Sequence, residues 1–148
     1  MSDFNFEIIE ATINDVDNIY RIEQTCDNDI YSPILIRNSI EDKYTINFML
    51  KVDQDIVGYI SASIIFDECN LIKIVVDSNH RSKGYGKLLV DYLIKYCLSH
   101  QVKKIYLEVR ADNFVAQKLY NKMGFRKESV RKSYYDNSVD ALIYWYYL

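Results

Sequence analysis

Apolar positions along the chain follow two periods. The clearest run is Tyr85, Leu88, Leu89, Tyr92, Leu93, Tyr96 and Cys97, which recur at the spacing of one helix face. Lys87, Asp91 and Lys95 fall on the opposite face, spaced so that unlike charges can pair. The same period runs through Val16, Ile19, Tyr20 and Ile22, predicting a helix over 14–24 with Thr12 as its cap. Ser32-Pro33 has the form of an N-cap followed by a first-turn proline and opens a second helix to about Ile40. Ala116, Leu119, Tyr120 and Met123 mark a last helix, capped by Asp112 or Asn113 and ended by Gly124. Strand-like segments lie between: Phe4 to Glu10, Tyr44 to Val52, Ile56 to Phe66, Leu71 to Val76, Lys103 to Arg110, Phe125 to Val130 and Val139 to Tyr147. Asp53-Gln54-Asp55 supplies the turn between the second and third of these. The order is that of an α/β (α+β) fold, read as one domain over residues 1–148.

Composition narrows the class. The chain has 148 residues, 49% of them apolar, enough for a true core and outside the disordered range. A net charge of −3 argues against bulk binding of nucleic acid. Fourteen tyrosines are an excess that host codon bias explains as well as a binding surface does. Cys26, Cys69 and Cys97 are odd in number and far apart, which favours reduced thiols over a disulfide framework. The first ten residues lack a basic and then apolar leader, and no apolar run approaches the ~20 residues of a membrane span. These features point to a soluble cytoplasmic protein without a membrane partner.

Three segments carry candidate chemistry. Arg81-Ser82-Lys83-Gly84-Tyr85-Gly86-Lys87 lies between a strand and the long helix. Glycines there let backbone amides approach a ligand, and a helix N-terminus adds free N–H groups and a positive dipole end. The combination suits a pyrophosphate. It is neither a Walker loop, since Leu88 follows Lys87, nor a dinucleotide fingerprint, since Leu89 stands at the third glycine position. Taken alone it reads equally well as a solvated basic helix start. In Leu107-Glu108-Val109-Arg110, Glu108 is an acid in mid-strand, either a general base in a cleft or the partner of a nearby Lys or Arg. Asn113 and Tyr120 are two helical turns apart and share one face; Tyr120 is a core aromatic or a proton donor. Cys97 sits on an apolar helix face, and His80 and His100 have no metal-ligand spacing, so no metal site is expected.

In their order these pieces resemble the GNAT acetyltransferases, and within them the RimI-like N-terminal acetyltransferases. Arg81-x-x-Gly84-x-Gly86 resembles the family's acetyl-CoA motif, and Leu71 to Asp77 the strand before it. Leu107 to Arg110, Asn113, Leu119-Tyr120, Gly124-Phe125 and Arg131 to Tyr135 follow at similar spacing, and Ile22-Glu23-Gln24 resembles the family's first helix. The resemblance implies a central mixed, mostly antiparallel twisted sheet flanked by helices, with a splayed acetyl-CoA cleft. It implies that Ile74, Val75 and Val76 bind the pantetheine arm and acetyl carbonyl through their backbones. The amides of Ser82, Lys83, Gly84, Tyr85, Gly86 and Lys87, with Arg81 beside them, would hold the pyrophosphate, and Asn113 would touch the cofactor. Glu108 would be the general base and Tyr120 the general acid, with Arg131, Tyr134 and Tyr135 toward the acceptor. Ser78 stands where proline is usual, Ser32-Pro33-Ile34 replaces a Pro-Trp, and the segment after Tyr135 is a few residues short.

The implied reaction is direct transfer of acetyl from acetyl-CoA to a primary amine. An α-amino group, with a reference pKa of ~7.7–8.0, is nearer to neutral than a lysine at ~10.4. A protein N-terminus, as of a ribosomal protein, is the first acceptor to consider. A small amine such as a polyamine or aminoglycoside is the second, since Asp27, Asp29, Glu41 and Asp42 would suit a cation. A non-catalytic acyl-CoA sensor is the third. A monomer or a homodimer is compatible with all three.

Overall fold

The structure, a computed structural model, describes residues 5–27, 29–135 and 138–148. Its chain order is β1 (Phe6–Glu10), α1 (Val16–Glu23), α2 (Pro33–Glu41), β2 (Thr45–Val52), β3 (Asp55–Ile65), β4 (Glu68–Val76), α3 (Tyr85–Ser99), β5 (Lys104–Arg110), α4 (Phe114–Met123), β6 (Arg126–Tyr135) and β7 (Val139–Tyr147). One seven-stranded sheet runs β1-β2-β3-β4-β5-β7-β6. Every pairing is antiparallel except β4 with β5. A parallel pair needs a long crossover, and α3 provides it.

Local signals set the ends of the elements. Thr12 and Asp15 form a reciprocal capping box over a 3-10 turn, Ile13–Asp15, which leads into α1. Ser32 accepts from the Leu35 amide with Pro33 behind it, and Asn113 accepts from the Ala116 amide at 3.1 Å. Gly124, at φ 98°, closes α4 in the left-handed conformation. Asp53 and Gln54 both have positive φ, as a two-residue hairpin loop requires.

The helices cover both faces of the sheet. α3 and α4 lie over one face, where Leu89, Val90, Leu93 and Cys97 meet Ile60, Ile105, Leu107 and Tyr144. α1 and α2 cover the other through Val16, Ile19, Ile22 and Ile36, against Met49, Tyr59 and Val75. Two strands are longer than their sequences suggested. β4 begins at Glu68, three residues before Leu71, and β6 continues beyond Val130 to Tyr135. Phe4, the expected start of the first strand, lies outside the described residues.

Candidate active site

The site begins with a failure of pairing. β4 and β5 are bonded only from Glu68↔Lys104 to Asn70↔Tyr106. Beyond that point β4 stays with β3 as far as Val76↔Gly58, and β5 stays with β7 as far as Arg110↔Ala141. A bulge at Ile72, where Leu71 faces Ala62 but Lys73 faces Ser61, begins the divergence. The two strands therefore splay, and residues 71–76 and 107–110 each present one edge with no strand opposite. Unpaired backbone groups there must bond water or a ligand. Gly58 holds β3 close behind this edge: a Cβ on it would lie 2.9 Å from the Val75 carbonyl oxygen and 3.3 Å from Leu89 Cδ1.

The end of β4 leads into the loop before α3. Asp77 accepts from the Asn79 amide at 2.9 Å and lies 3.4 Å from Arg21 Nη1. The His80 Nδ1 is buried, 3.8 Å from Asp77 Oδ1. Ser82 at φ 63° and Gly84 at φ 82° turn the chain into the helix. Gly84, the N-cap of α3, has no side chain to cap it, and a helix start of this kind suits an anion. Arg81, Ser82, Lys83, Gly84 and Lys87 are exposed, while the Tyr85 ring is buried in the core. Arg81 Nε reaches back to the Val76 carbonyl at 3.3 Å. Gly86 faces Leu119, 3.4 Å from a Cβ placed on it, so α3 and α4 can lie close together. A free strand edge running into an uncapped, basic helix start fits an extended thioester arm ending in phosphates.

Glu108 occupies the α1–α2 face of β5. Its side chain is 20% exposed. Tyr106 donates its hydroxyl to Glu108 Oε1, and Arg131 Nη1 lies 3.5 Å from the same oxygen. Burial and the Glu108 carboxylate push the Tyr106 phenol up to about 12, so it remains a donor. Arg131 stacks over Tyr134 and Arg110 over Tyr135. Tyr135 is also raised, by burial first and then by Glu108. The structure thus brings Glu108, Arg131, Tyr134 and Tyr135 together.

Tyr120 lies on the opposite face, 4% exposed, against Phe125 and Tyr144. Burial alone raises its pKa and keeps the phenol protonated at neutral pH. Among the described residues no side chain hydrogen-bonds its hydroxyl. Glu108 and Tyr120 therefore lie on the two opposite faces of the sheet. The Asn113 side-chain oxygen is committed to its helix cap. Among the described residues no cluster of three or more His, Cys, Asp or Glu forms a metal site, and no helix is long and apolar enough to cross a membrane. A hollow of about 400 Å³ between Ile13 and Arg37 is lined by none of these site residues.

The profile of the acetyltransferase (GNAT) family matches residues 13–125. The chain belongs to that family. It is an acetyl-CoA-dependent N-acetyltransferase. Among its relatives, the [ribosomal protein bS18]-alanine N-acetyltransferase of Escherichia coli strain K12 is 30% identical over 87% of this chain and 88% of its own. The crystal structure of the ribosomal-protein-S18-alanine N-acetyltransferase from Escherichia coli superposes with a TM-score of 0.89 at 28% identity, covering 95% of this chain and 92% of that one. Ard1 from Thermoplasma volcanium gives 0.87 at 28% identity, covering 97% of each chain.

Two features of this GNAT chain escaped the reading of its sequence. Alternation along the strand puts Tyr106 on the face of Glu108 and Arg110, but nothing in the sequence marked its hydroxyl bond to the Glu108 carboxylate. Glu23 had a visible signal: it continues the buried Ile19–Ile22 stripe of α1, a carboxylate where the helix faces the core. It is fully buried and satisfied by Tyr59, Lys73 and the Tyr31 amide.

Proposed function

We propose that this chain acetylates a protein N-terminal α-amino group, with an alanine N-terminus of the kind carried by ribosomal protein bS18 as its acceptor. The observation that carries this reading is the near end-to-end match to N-terminal alanine acetyltransferases. The carboxylate at the cleft, among Tyr106, Tyr134 and Tyr135, adds a chemical reason.

In this reading the backbone of Ile74 to Val76 holds the acetyl-pantetheine arm, and Arg81 to Lys87 hold the phosphates. Glu108 accepts a proton from the incoming ammonium, directly or through a water. The neutral amine attacks the thioester carbon; the C–N bond forms and the C–S bond breaks. A backbone N–H near Val76 steadies the oxyanion, a contribution of ~3 kcal/mol for one such donor. Tyr120, protonated at neutral pH, gives its proton to the departing thiolate, and the proton that the acylated nitrogen sheds as it becomes an amide restores the phenol. Arg131 and Tyr106 hold the Glu108 carboxylate in place.

Of the acids that would suit a cationic acceptor, Asp29 lies where its charge reaches Arg110 and Tyr135. Asp42 is engaged by the Thr45 hydroxyl and the Tyr44 amide. The test is thiol release from acetyl-CoA with alanine-starting peptides, lysine peptides and polyamines. Turnover on the alanine peptide should fall ~10²–10⁴-fold in Glu108→Gln and in Tyr120→Phe while acetyl-CoA binding persists. Turnover on polyamines alone would overturn the reading.

A further inference from the structure

A buried charge pair joins the segment between α1 and α2 to β4. The Glu23 carboxylate, fully buried, receives three donors. Tyr59 of β3 donates its hydroxyl to Oε2. Lys73 of β4 donates to Oε1 at 2.7 Å, and the Tyr31 backbone amide donates to the same oxygen at 2.9 Å. Lys73, only 14% exposed, also donates to the Asp29 carbonyl, and its ammonium lies 3.9 Å from the centre of the Tyr31 ring. Asp29 itself is held at φ 53°.

The arrangement asks for a reason. Two buried charges seldom stabilise a fold more than an apolar pair of the same volume would. What they do supply is direction. An apolar contact would hold this segment against β4 without fixing where the Asp29 carbonyl and the Tyr31 amide sit. Lys73 is the first residue after the bulge at Ile72, on the stretch of β4 whose far edge is the open cleft. The charge of Asp29 acts on both Arg110 and Tyr135, which belong to the Glu108 wall.

We propose that Lys73, paired with Glu23, is a positioning residue for the acceptor: it fixes the 29–31 segment as the wall that faces Glu108 across the cleft. Lys73 acts through Asp29 and Tyr31, not on the reacting atoms. The inference rests on the reading of the Glu108 face as the acceptor side, but not on which amine is the acceptor.

The test uses Glu23→Gln/Lys73→Met, which removes both charges together, keeps an oxygen for the Tyr31 amide and presents an NH2 that the Tyr59 hydroxyl oxygen can accept. The acceptor is whichever class the wild type turns over, N-terminal peptide or polyamine. Acceptor KM should rise at least tenfold, with kcat within about threefold and acetyl-CoA KM within twofold. An acceptor KM within twofold of wild type overturns the proposal, as does an equal rise of both KM values tracking a lower Tm. Wild-type turnover on polyamines alone would sink the N-terminal reading and leave this comparison intact. Amide exchange provides a readout independent of turnover. In Lys73→Met the Tyr31 amide should exchange at least tenfold faster while β3 amides are unchanged, and unchanged protection at Tyr31 overturns the proposal.

Discussion

Gly58→Ala tests whether the cofactor edge of β4 is set by close backbone packing. The added Cβ would sit 2.9 Å from the Val75 carbonyl oxygen and 3.3 Å from Leu89 Cδ1. Leu89 can turn away, but the Val75 carbonyl belongs to the β3–β4 ladder and moves only with its strand. Overpacking of this kind costs about 1–3 kcal/mol. Loss of glycine freedom in the unfolded chain returns about 0.4–1 kcal/mol. The net destabilisation is then at most about 2.6 kcal/mol and about 1.3 kcal/mol at mid-range, which is a fall in Tm of roughly 3–5 °C for a chain of this length. Because Val75 is displaced toward the gap, acetyl-CoA should bind roughly three- to tenfold more weakly, or about 0.7–1.4 kcal/mol. Thermal unfolding and calorimetric titration with acetyl-CoA read the two effects. Adding Leu89→Val relieves the longer contact only, so it should leave the binding defect in place. A Gly58→Ala protein with wild-type Tm and wild-type acetyl-CoA affinity would refute the reasoning.

Other consequences concern single groups. Gly84→Ala meets no atom within 4 Å, so its whole effect is strain at φ 82°, about 1–2 kcal/mol, seen as a lower Tm and weaker acetyl-CoA binding; an unchanged Tm would mean the loop relaxes freely. Tyr106→Phe removes a hydroxyl donated to Glu108, a bond of ~1.5–3 kcal/mol when buried and less at a partly exposed carboxylate. Its kcat/KM should fall by roughly five- to tenfold with acetyl-CoA affinity intact, and a wild-type kcat/KM would show that Glu108 needs no such support. Asp42 is held below the usual carboxylate range by the Thr45 hydroxyl, Asp112 by Arg110 and Asp140 by the Ser133 amide. Each folded pKa lies below the unfolded ~3.9, so the stabilisation is present above that value and lost as pH falls through the folded one. Urea midpoints should therefore drop between about pH 5 and pH 3, and Asp42→Asn should flatten part of the drop.

What the sequence revealed depended on how far apart the interacting residues stand. Ser32 with Pro33, and Gly124, are read within one turn and the structure has them as expected, whereas Thr12, expected to cap the first helix, caps the 3-10 turn that leads into it. β6 was cut short because its residues up to Tyr134 are exposed and its pairing with β7 slips twice, so no alternation marks its far half. The start of β4 was missed because Glu68 and Asn70 are polar, although 68–70 are the residues that join β5 and define where the splay begins. The cleft itself is a place where two strands stop pairing, and no residue pattern records it. Glu108 was legible as an acid out of place in a strand, because only its own surroundings were needed to notice it. Glu23 was out of place in the same way, on an apolar helix stripe, yet the signal named no partner: Tyr59 lies 36 residues away and Lys73 lies 50. A misplaced charge thus shows from sequence that a pair must exist, since an unpaired buried carboxylate would not be tolerated. Only the fold decides whether that pair serves catalysis, as proposed for Glu108, or holds a wall of the cleft in place, as proposed for Glu23 and Lys73.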